Sequence, residues 1–260
     1  MIAFFIRFSG IVWLIRNWFF RKKVAIIVFH NPSVQSMKNH LAYLSRHYQF
    51  IELQTFIDAV ETKKTNHLPA KSLVLTMDDG HAGNYHLLPL FRQYRIRPTI
   101  YLSSHLIDIR CPFNIKKPTL RRDEIKEMQP WCDFQSHGRF HFSLPKCDDH
   151  KAWEEISLSK KIIEEILDKP CQHFAYPFGD YSCRETGYVK KCGYKSGRTT
   201  DPGWNDRTSD LFRLKVVAMI PDNASRNMLC AHLTGLPLLM EYFMRGVGKG
   251  FKNNKQLECR

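Results

Sequence analysis

The 260-residue sequence has no CxxC pair, no HExxH motif, no internal repeat and no low-complexity tract. Its eight cysteines lack zinc-finger spacing, so they are predicted to be mostly reduced, buried thiols instead of a disulfide framework. The lack of HExxH excludes a zinc metalloprotease of the class that binds its metal through this motif. A hydrophobic content of 43% with 25% charged residues excludes a disordered, collagen-like or polytopic membrane protein. The remaining class is a globular chain long enough to bury one substantial core.

Acidic residues are scarce relative to basic ones, with 25 Asp and Glu against 39 Lys and Arg, a formal net charge of +14. Such a surface favours anionic partners, including nucleic acid, acidic lipid and acidic glycan. No RNA- or DNA-binding motif accompanies the charge, so a nucleic-acid partner is not predicted. The expected partners are a glycan and an anionic membrane surface, and the alternative is that the charge only keeps the protein soluble.

Residues 1–23 form an apolar and basic segment that we predict to associate with a membrane. Residues 2–20 are rich in aromatic and aliphatic side chains but contain Arg7 and Arg16, and three basic residues follow at 21–23. A membrane-crossing helix needs about 20 nearly uncharged residues, and a cleavable signal peptide needs a small-residue cleavage site. An interfacial helix is therefore expected, and a helix packed on the protein's own core is the alternative.

The same segment sets the expected location. Without a convincing signal peptide, we place the protein at a membrane, on the cytoplasmic face. Export with an uncleaved N-terminal anchor is the alternative.

Short apolar runs alternate with helical patterns along residues 24–260, which we predict to form one domain. The alternation is typical of βα units in a parallel sheet or barrel. The predicted strands cover residues 24–29, 72–77, 98–103, 132–136, 174–176 and 214–220, and the predicted helices cover 37–48, 122–128, 153–167 and 227–233.

Asp78 and Asp79 follow directly after the predicted strand at residues 72–77. Functional sites in α/β folds lie at the carboxyl ends of strands, and adjacent side chains there point in different directions. One carboxylate could therefore bind a metal while the other accepts a proton. The alternative is an ordinary Asp-Asp-Gly turn.

His137 and His141 are four residues apart in the sequence SHGRFH. This spacing would bring both imidazoles to one face of a helical turn, as two metal ligands require. A chance pair is the alternative. Together with an Asp, the pair forms a three-ligand set that leaves room for water and substrate.

The order of these motifs resembles the polysaccharide deacetylase family, the carbohydrate esterases with a NodB-type domain. Residues 76–80 (TMDDG) resemble the family's T-F-D-D-G, residues 137–141 resemble its H-[ST]-x-x-H, and residues 174–179 (FAYPFG) stand in the place of its third motif. The similarity runs from about residue 24 to residue 236. The resemblance implies an α/β fold, a distorted (β/α)7-type barrel (the NodB, or glycoside hydrolase/deacetylase, fold).

The resemblance also implies a metal-dependent hydrolase that acts on a linear amide C–N bond. Its reaction would remove an N-acetyl group from a sugar in a polysaccharide or a lipid-linked glycan. Asp78 is implied as the general base, and Asp79, His137 and His141 as ligands of a divalent metal. Zn²⁺ is the simplest choice, with Co²⁺, Mn²⁺, Ni²⁺ and Fe²⁺ as alternatives.

The family's general acid is a histidine, usually in a late L-x-H motif. The late candidate here is His232, which lies in a predicted helix instead of at a strand end. His30 is better placed, because VFHNP ends the first predicted strand and resembles the N-terminal Y-H of permuted members that deacetylate extracellular poly-N-acetylglucosamine. His30 is therefore the expected general acid, and a structural, turn-capping histidine is the alternative.

Besides Met77 in place of the family's Phe, the sequence departs from the family at two positions near the expected site. Ala175 stands in the stretch where an Arg usually orients the base, so another group must hold Asp78. Gly138 stands where Ser or Thr is usual, which removes one hydrogen bond but no ligand. The third motif supplies candidate walls of a sugar-binding groove, with core packing as the equal alternative: Tyr176, Pro177 and Phe178.

Two other functions fit parts of the pattern. A two-His, one-carboxylate set also binds iron in non-haem oxygenases, but those usually place the carboxylate close after the first His on a β-sandwich. The second alternative is a catalytically impaired protein with the NodB fold that binds glycan or membrane.

Overall fold

The computed structural model describes residues 10–19, 21–109, 117–237 and 240, and this part of the chain contains nine strands. They are β1 Ala25–Phe29, β2 Gln49–Phe50, β3 Ser72–Met77, β4 Thr99–Leu102, β5 Asp133–Ser136, β6 His173–Ala175, β7 Ser196–Pro202, β8 Leu214–Val216 and β9 Ala218–Met219.

Eight α-helices lie in the same part of the chain. They are α1 Ile11–Leu14, α2 Val34–His47, α3 Leu53–Glu61, α4 Leu88–Tyr94, α5 Arg122–Met128, α6 Asp149–Leu167, α7 Cys183–Lys191 and α8 Arg226–His232. The described 3-10 turns cover Thr65–His67, Ala82–Leu87, Ser104–Leu106, Leu144–Lys146, Pro177–Gly179 and Leu211–Arg213.

The strands pair in parallel in the order β8-β7-β6-β5-β4-β3-β1-β9, and β2 pairs with the start of β3. A single residue, Val217, separates β8 from β9. The chain therefore pairs with β7 through β8 and with β1 through β9, so the sheet nearly closes on itself. This arrangement confirms the predicted α/β barrel.

Alternation along β1 explains how the barrel is filled. Ile26 and Val28 point to an inner cluster, whereas Ile27 and Phe29 join the larger cluster between the strands and the surrounding helices. Leu53, Phe56 and Ile57 of α3 also belong to the inner cluster. Apolar side chains therefore close the amino-terminal end of the barrel, and polar groups are concentrated at the other end.

The main differences from the sequence prediction are β7, α3, α4 and α7, which the hydrophobic pattern did not reveal, and the division of the predicted strand 214–220. The sequence of β7, SGRTTDP, has little hydrophobic character although its first four residues are buried. Its pairing with β6 and β8 stabilises it as a strand, an effect of tertiary context that local propensity does not show.

The described part of the N-terminal segment consists of α1 and a π-helical turn, Ile15–Phe19. No helix in the described residues has both the length and the apolar character required to cross a bilayer. Arg7 lies outside the described residues. The division of the chain at residue 23 and the membrane association stay predictions.

The cysteines differ in part from the expectation of reduced thiols. Cys183 is disulfide-bonded. Pairing depends on tertiary proximity, which cysteine spacing does not reveal. Five other cysteines are free thiols, as expected: Cys132, Cys147, Cys171, Cys192 and Cys230.

Candidate active site

Polar residues from three strands meet at the carboxyl end of the barrel. His30 follows β1, Asp78 and Asp79 follow β3, and His137 follows β5. In a parallel sheet these ends lie at one edge, so residues far apart in sequence come together.

The turn after β3 presents Asp79 through unusual backbone geometry. Asp79 has φ 70° and Gly80 has φ 63°, both in the left-handed region. A Cβ atom on Gly80 would lie 2.5 Å from Leu102 Cδ2, so a larger residue would displace that buried side chain and strain the left-handed backbone. A left-handed non-glycine residue costs about 1–3 kcal/mol and is typical of functional sites.

Asp79, His137 and His141 each offer a ligand atom, and these atoms lie within 4.8 Å of one another. Asp79 Oδ1 lies 3.2 Å from His141 Nε2 and 3.7 Å from His137 Nε2. The same oxygen is buried without a hydrogen-bond partner. Because a buried carboxylate oxygen without a partner is unfavourable, the geometry fits a cation held among these three atoms.

The protonation states suit metal binding. Burial lowers the pKa of His137, and it lowers that of His141 to about 4, so both imidazoles are neutral at pH 7. Burial alone would raise the pKa of Asp79, but the His81 hydrogen bond and the neighbouring imidazoles hold it below its ordinary value. Metal ligands must be deprotonated, and these groups already are.

A backbone contact fixes the orientation of His137. The carbonyl oxygen of Ala175 accepts a hydrogen bond from His137 Nδ1 at 2.8 Å. The lone pair of the neutral ring is therefore on Nε2, which faces Asp79. This is the tautomer that a metal ligand requires.

The expectation that His137 and His141 share a helical turn is wrong. Residues 137–141 form a loop after β5, in which Gly138 has φ 80° and His141 has φ 61°. These left-handed residues reverse the chain, so the two rings lie with centroids 4.9 Å apart. The juxtaposition comes from the loop, not from helical periodicity.

Two side chains of helix α6 form hydrogen bonds with the backbone of the loop at residues 137–141. Glu155 Oε2 accepts hydrogen bonds from the backbone N–H groups of Arg139 (3.1 Å) and Phe140 (2.9 Å). Ser159 Oγ donates to the carbonyl oxygen of Gly138 at 2.9 Å. Glu155 is 2% exposed, and burial raises its pKa. These bonds fix the loop where Gly138 lacks the hydroxyl that the family usually has.

Asp78 is held by a residue that sequence reasoning missed. Arg198 of β7 places Nη2 2.7 Å and 2.6 Å from the two carboxylate oxygens of Asp78, and both residues are buried. The guanidinium carbon also lies 5.1 Å from the centroid of the Tyr101 ring. Arg198 thus provides the cationic partner of Asp78 that an arginine in the stretch of Ala175 usually provides in the family. In the sequence, the sign of this role is one arginine among the small and polar residues of SGRTTDP.

His30 lies beside the cluster. Its imidazole is among the neighbouring groups that lower the pKa of Asp79 and of His141. The side-chain amide of Asn84 donates a hydrogen bond to the backbone carbonyl oxygen of His30 at 2.9 Å. The next residue, Asn31, donates its backbone N–H to Asp222 Oδ1 at 2.8 Å. Asn84 and Asp222 therefore fix the turn that presents His30.

The third motif is divided between core and surface. Tyr176 is 1% exposed, and its hydroxyl donates a hydrogen bond to the carbonyl oxygen of Phe212. Pro177 is also buried. Both residues therefore pack in the core, which was the alternative interpretation. This burial corrects the expectation that these two residues line a groove. Phe178 is 56% exposed, and its ring centroid lies 4.5 Å from that of His141.

The fold and the site together define a class: a parallel α/β barrel in which a His, His and Asp cluster that could hold a cation lies beside an arginine-held carboxylate. The donor set of two imidazoles and one carboxylate leaves coordination positions open, as catalytic zinc sites do.

The Polysaccharide deacetylase family profile matches residues 65–197. The chain therefore belongs to the polysaccharide deacetylase family. A Bacillus subtilis (strain 168) protein, YxkH, whose name also refers to this family, is 28% identical over 153 residues, which make up 58% of this chain and 52% of that protein. The chain thus spans about half the length of this curated relative.

Two solved structures share the fold. The Streptococcus pyogenes deacetylase PplD, in complex with acetate, aligns with a TM-score of 0.70 and 22% identity over 81% of this chain and 98% of that chain. A de-N-acetylase from Aggregatibacter actinomycetemcomitans aligns with a TM-score of 0.69 and 18% identity over 81% of this chain and 100% of that one.

Proposed function

We propose that this protein is a metal-dependent carbohydrate de-N-acetylase, a hydrolase that cleaves the linear amide bond of an N-acetylated sugar. The observation that carries the proposal is the meeting of Asp79, His137 and His141 around an unpartnered carboxylate oxygen, next to the pair of Asp78 and Arg198. Family membership supports the same chemistry.

Asp79, His137 and His141 would hold the metal, most simply Zn²⁺. When bound, such an ion lowers the pKa of its water to about 7 and polarises a carbonyl group. The contribution of the chain is to keep both imidazoles neutral and to hold His137 in the required tautomer. His81 Nε2 lies 3.3 Å from the other oxygen of Asp79, so Oδ1 is the oxygen left for the ion.

Asp78 would be the general base. Its Oδ2 lies 4.0 Å from His137 Nε2, so the carboxylate adjoins the cation site without belonging to it. Arg198 fixes the direction of the carboxylate, which a proton acceptor needs. The structure supports this assignment by placing a cationic partner on the base itself.

His30 would donate the proton that the departing amine requires. A general acid of this kind typically contributes about 10²–10⁴-fold to the rate. The position beside Asp79 and His141 supports the role, and the bond from Asn31 to Asp222 keeps the loop in place.

The substrate we propose is an N-acetylated polysaccharide, with a lipid-linked glycan as the alternative. Phe178 offers an exposed aromatic face beside His141, on which a sugar ring can pack. The net charge of +14 favours an acceptor that carries anionic groups.

Acetate release from N-acetylated oligosaccharides and lipid-linked sugars tests this function. Each substrate is assayed with and without chelator, and the chelated protein is assayed again after Zn²⁺, Co²⁺ or Mn²⁺ is added back. The proposal expects release that the chelator abolishes and the metal restores. Release that survives complete metal removal would contradict it.

We further propose that the protein works at a membrane. The apolar segment that ends at the basic residues 21–23 supports this location. Cys183 is disulfide-bonded, and structural disulfides are typical of oxidising compartments. This bond favours the exported face of the membrane over the cytoplasmic face expected from the sequence. Trapping of free thiols in cells, followed by a mobility shift, tests whether Cys183 is oxidised there.

A further inference from the structure

We propose that the amino-terminal end of the barrel is the surface that binds an anionic phospholipid bilayer, which turns the catalytic mouth away from the membrane. This basal surface comprises Trp13, Trp18, Arg21, Lys22, Lys23 and Arg207. The membrane contact stands on its own observations, and its consequence for the substrate rests on the proposed deacetylase function.

Basic side chains surround a cavity at this end of the barrel. The cavity has a volume of about 780 Å³ and is lined in part by Arg21, Lys22, Lys23 and Arg207. One acidic residue, Asp206, also lines it, with Oδ2 3.4 Å from Lys23 Nζ. Arg21, Lys22 and Arg207 are exposed. The cavity thus has the charge that attracts a phosphate headgroup and is large enough to admit one.

Two exposed indoles lie in the chain segment that leads to the cavity-lining residue Arg21. Trp13 is 60% exposed and Trp18 is 75% exposed. Two bonds tie their segment to the barrel, because Lys71 Nζ donates to Asn17 Oδ1 at 3.2 Å and Lys71 N donates to the carbonyl oxygen of Arg21 at 2.7 Å. The segment that carries both tryptophans is therefore anchored at the amino-terminal end of the barrel, where Arg21 lines the cavity.

The catalytic residues lie at the opposite end. Lys71 directly precedes β3 and Asp78 directly follows it, with the six residues Ser72–Met77 between them. A strand rises about 3.3 Å per residue, so these two ends are roughly 20 Å apart. Because barrel strands tilt by about 35–45° from the barrel axis, a bilayer seated on the basal surface would leave the catalytic mouth roughly 15 Å from its headgroups.

The combination of groups favours a bilayer over other anionic partners. Indole rings prefer the headgroup region, where one edge is apolar and the other is hydrated. Lysine and arginine add attraction to anionic lipid, which falls off within a Debye length. The consequence for the enzyme is a substrate that reaches beyond the headgroups, such as a polysaccharide strand, instead of a sugar attached directly to a lipid.

Flotation of the full chain with lipid vesicles tests the surface. Wild-type protein should float with vesicles of 70% phosphatidylcholine and 30% phosphatidylglycerol, and much less with phosphatidylcholine alone. The triple variant R21Q/K22Q/R207Q keeps the contact between Lys23 and Asp206. Since each basic residue near an anionic membrane contributes about fivefold, its partition coefficient should fall roughly 100-fold.

A matched control removes the same charge elsewhere. Lys126, Lys161 and Lys191 are exposed lysines on α5, α6 and α7. The variant K126Q/K161Q/K191Q should float like wild type. Equal losses in the two triple variants would overturn the proposal, because net charge and not the basal surface would then govern binding.

Hydrogen exchange on vesicle-bound protein tests the orientation. Protection should appear at residues 10–24 and 205–208 and not at the mouth loops 79–82 and 138–142. Protection at the mouth loops would overturn the orientation. Acetate release from a soluble oligosaccharide should be the same for the basal triple variant and wild type, so loss of membrane binding and loss of deacetylase activity are measured separately.

Discussion

Arg198 and Asp78 are 120 residues apart in sequence, yet Arg198 Nη2 lies 2.7 Å and 2.6 Å from the two carboxylate oxygens of Asp78. Arg198 is 1% exposed and Asp78 is 4% exposed, so water does not screen the pair. The ion pair joins β7 to β3 across the barrel, and it fixes one carboxylate beside the cluster of Asp79, His137 and His141 that we propose to hold the metal.

The first prediction concerns Arg198. Arg198→Lys should keep the positive charge but lose the guanidinium contacts to the two carboxylate oxygens of Asp78. We therefore expect kcat to fall by about 10²-fold with the metal content unchanged. Arg198→Ala should also destabilise the protein by about 3–5 kcal/mol, because it leaves a buried carboxylate unpaired. Steady-state kinetics, metal analysis and denaturant unfolding provide the three readouts. Normal turnover in Arg198→Lys would show that the arginine does not position the base.

The second prediction separates base from ligand. Asp78→Asn should abolish acetate release and leave the bound metal at the wild-type level, because Asp78 lies outside the cation site. His137→Ala should lose both metal and activity. Inductively coupled plasma measurement of purified variants checks the metal, and retained activity in a clean Asp78→Asn preparation would refute its role as base.

The third prediction concerns Glu155, which holds the loop that carries two ligands. Glu155→Ala should weaken metal affinity by about 10–100-fold, the usual effect of removing an outer partner of a metal site. Glu155→Gln, which keeps one acceptor oxygen, should recover part of that loss. Competition with a chromogenic chelator measures the affinity.

The control for Glu155 is its neighbour on α6. Glu154 is partly exposed, and its carboxylate lies 3.7 Å from His150 Nδ1. Glu154→Ala should leave metal affinity unchanged. If Glu154→Ala and Glu155→Ala weaken binding equally, the effect belongs to α6 as a whole and not to the loop contacts.

The fourth prediction concerns His81, whose Nε2 faces Asp79 Oδ2. His81→Phe should free that oxygen and lower metal affinity about 10-fold. The exposed His86 on the following 3-10 turn gives a matched control, His86→Phe, which should bind metal normally. Unchanged affinity in His81→Phe would show that Asp79 is held by its backbone conformation alone.

The fifth prediction concerns acid stability, through two buried histidines away from the site. Burial lowers the pKa of His40 to about 4 and that of His173 to about 3, below the value of about 6.5 in the unfolded chain. Between those values the unfolded state binds more protons, so the free energy of unfolding falls as pH drops below about 6.5.

The expected loss from His40 alone is about 3 kcal/mol between pH 6.5 and pH 4, at 1.36 kcal/mol for each pKa unit. Urea unfolding at several pH values measures the slope. His40→Gln should flatten the curve in this window. An equally steep curve in that variant would mean that other groups cause the acid sensitivity.

The sequence predicted the fold class and much of the site, because these features depend on local patterns. The apolar runs at β1 and β3 and the polar residues that follow them are visible in a single stretch of chain. Asp79, His137 and His141 could be proposed together because each belongs to a short motif, and the structure brings them together.

The remaining site residues depend on contacts that no local pattern shows. Arg198 lies in a strand of mostly small and polar residues, and its partner is on another strand. Glu155 occupies an inward position of an otherwise ordinary amphipathic helix, so its contact with the ligand loop appears only in three dimensions. The loop conformation at His141 was also hidden, because the HxxxH spacing suggests a helix where left-handed residues make a turn.

The most direct test of the account is an anomalous-difference map from crystals of the protein grown with Zn²⁺. The account predicts one strong peak within about 2.0–2.2 Å of Asp79 Oδ1, His137 Nε2 and His141 Nε2, with Asp78 outside the coordination sphere. A peak at another group of residues, or no peak beside these three at saturating Zn²⁺, would contradict it.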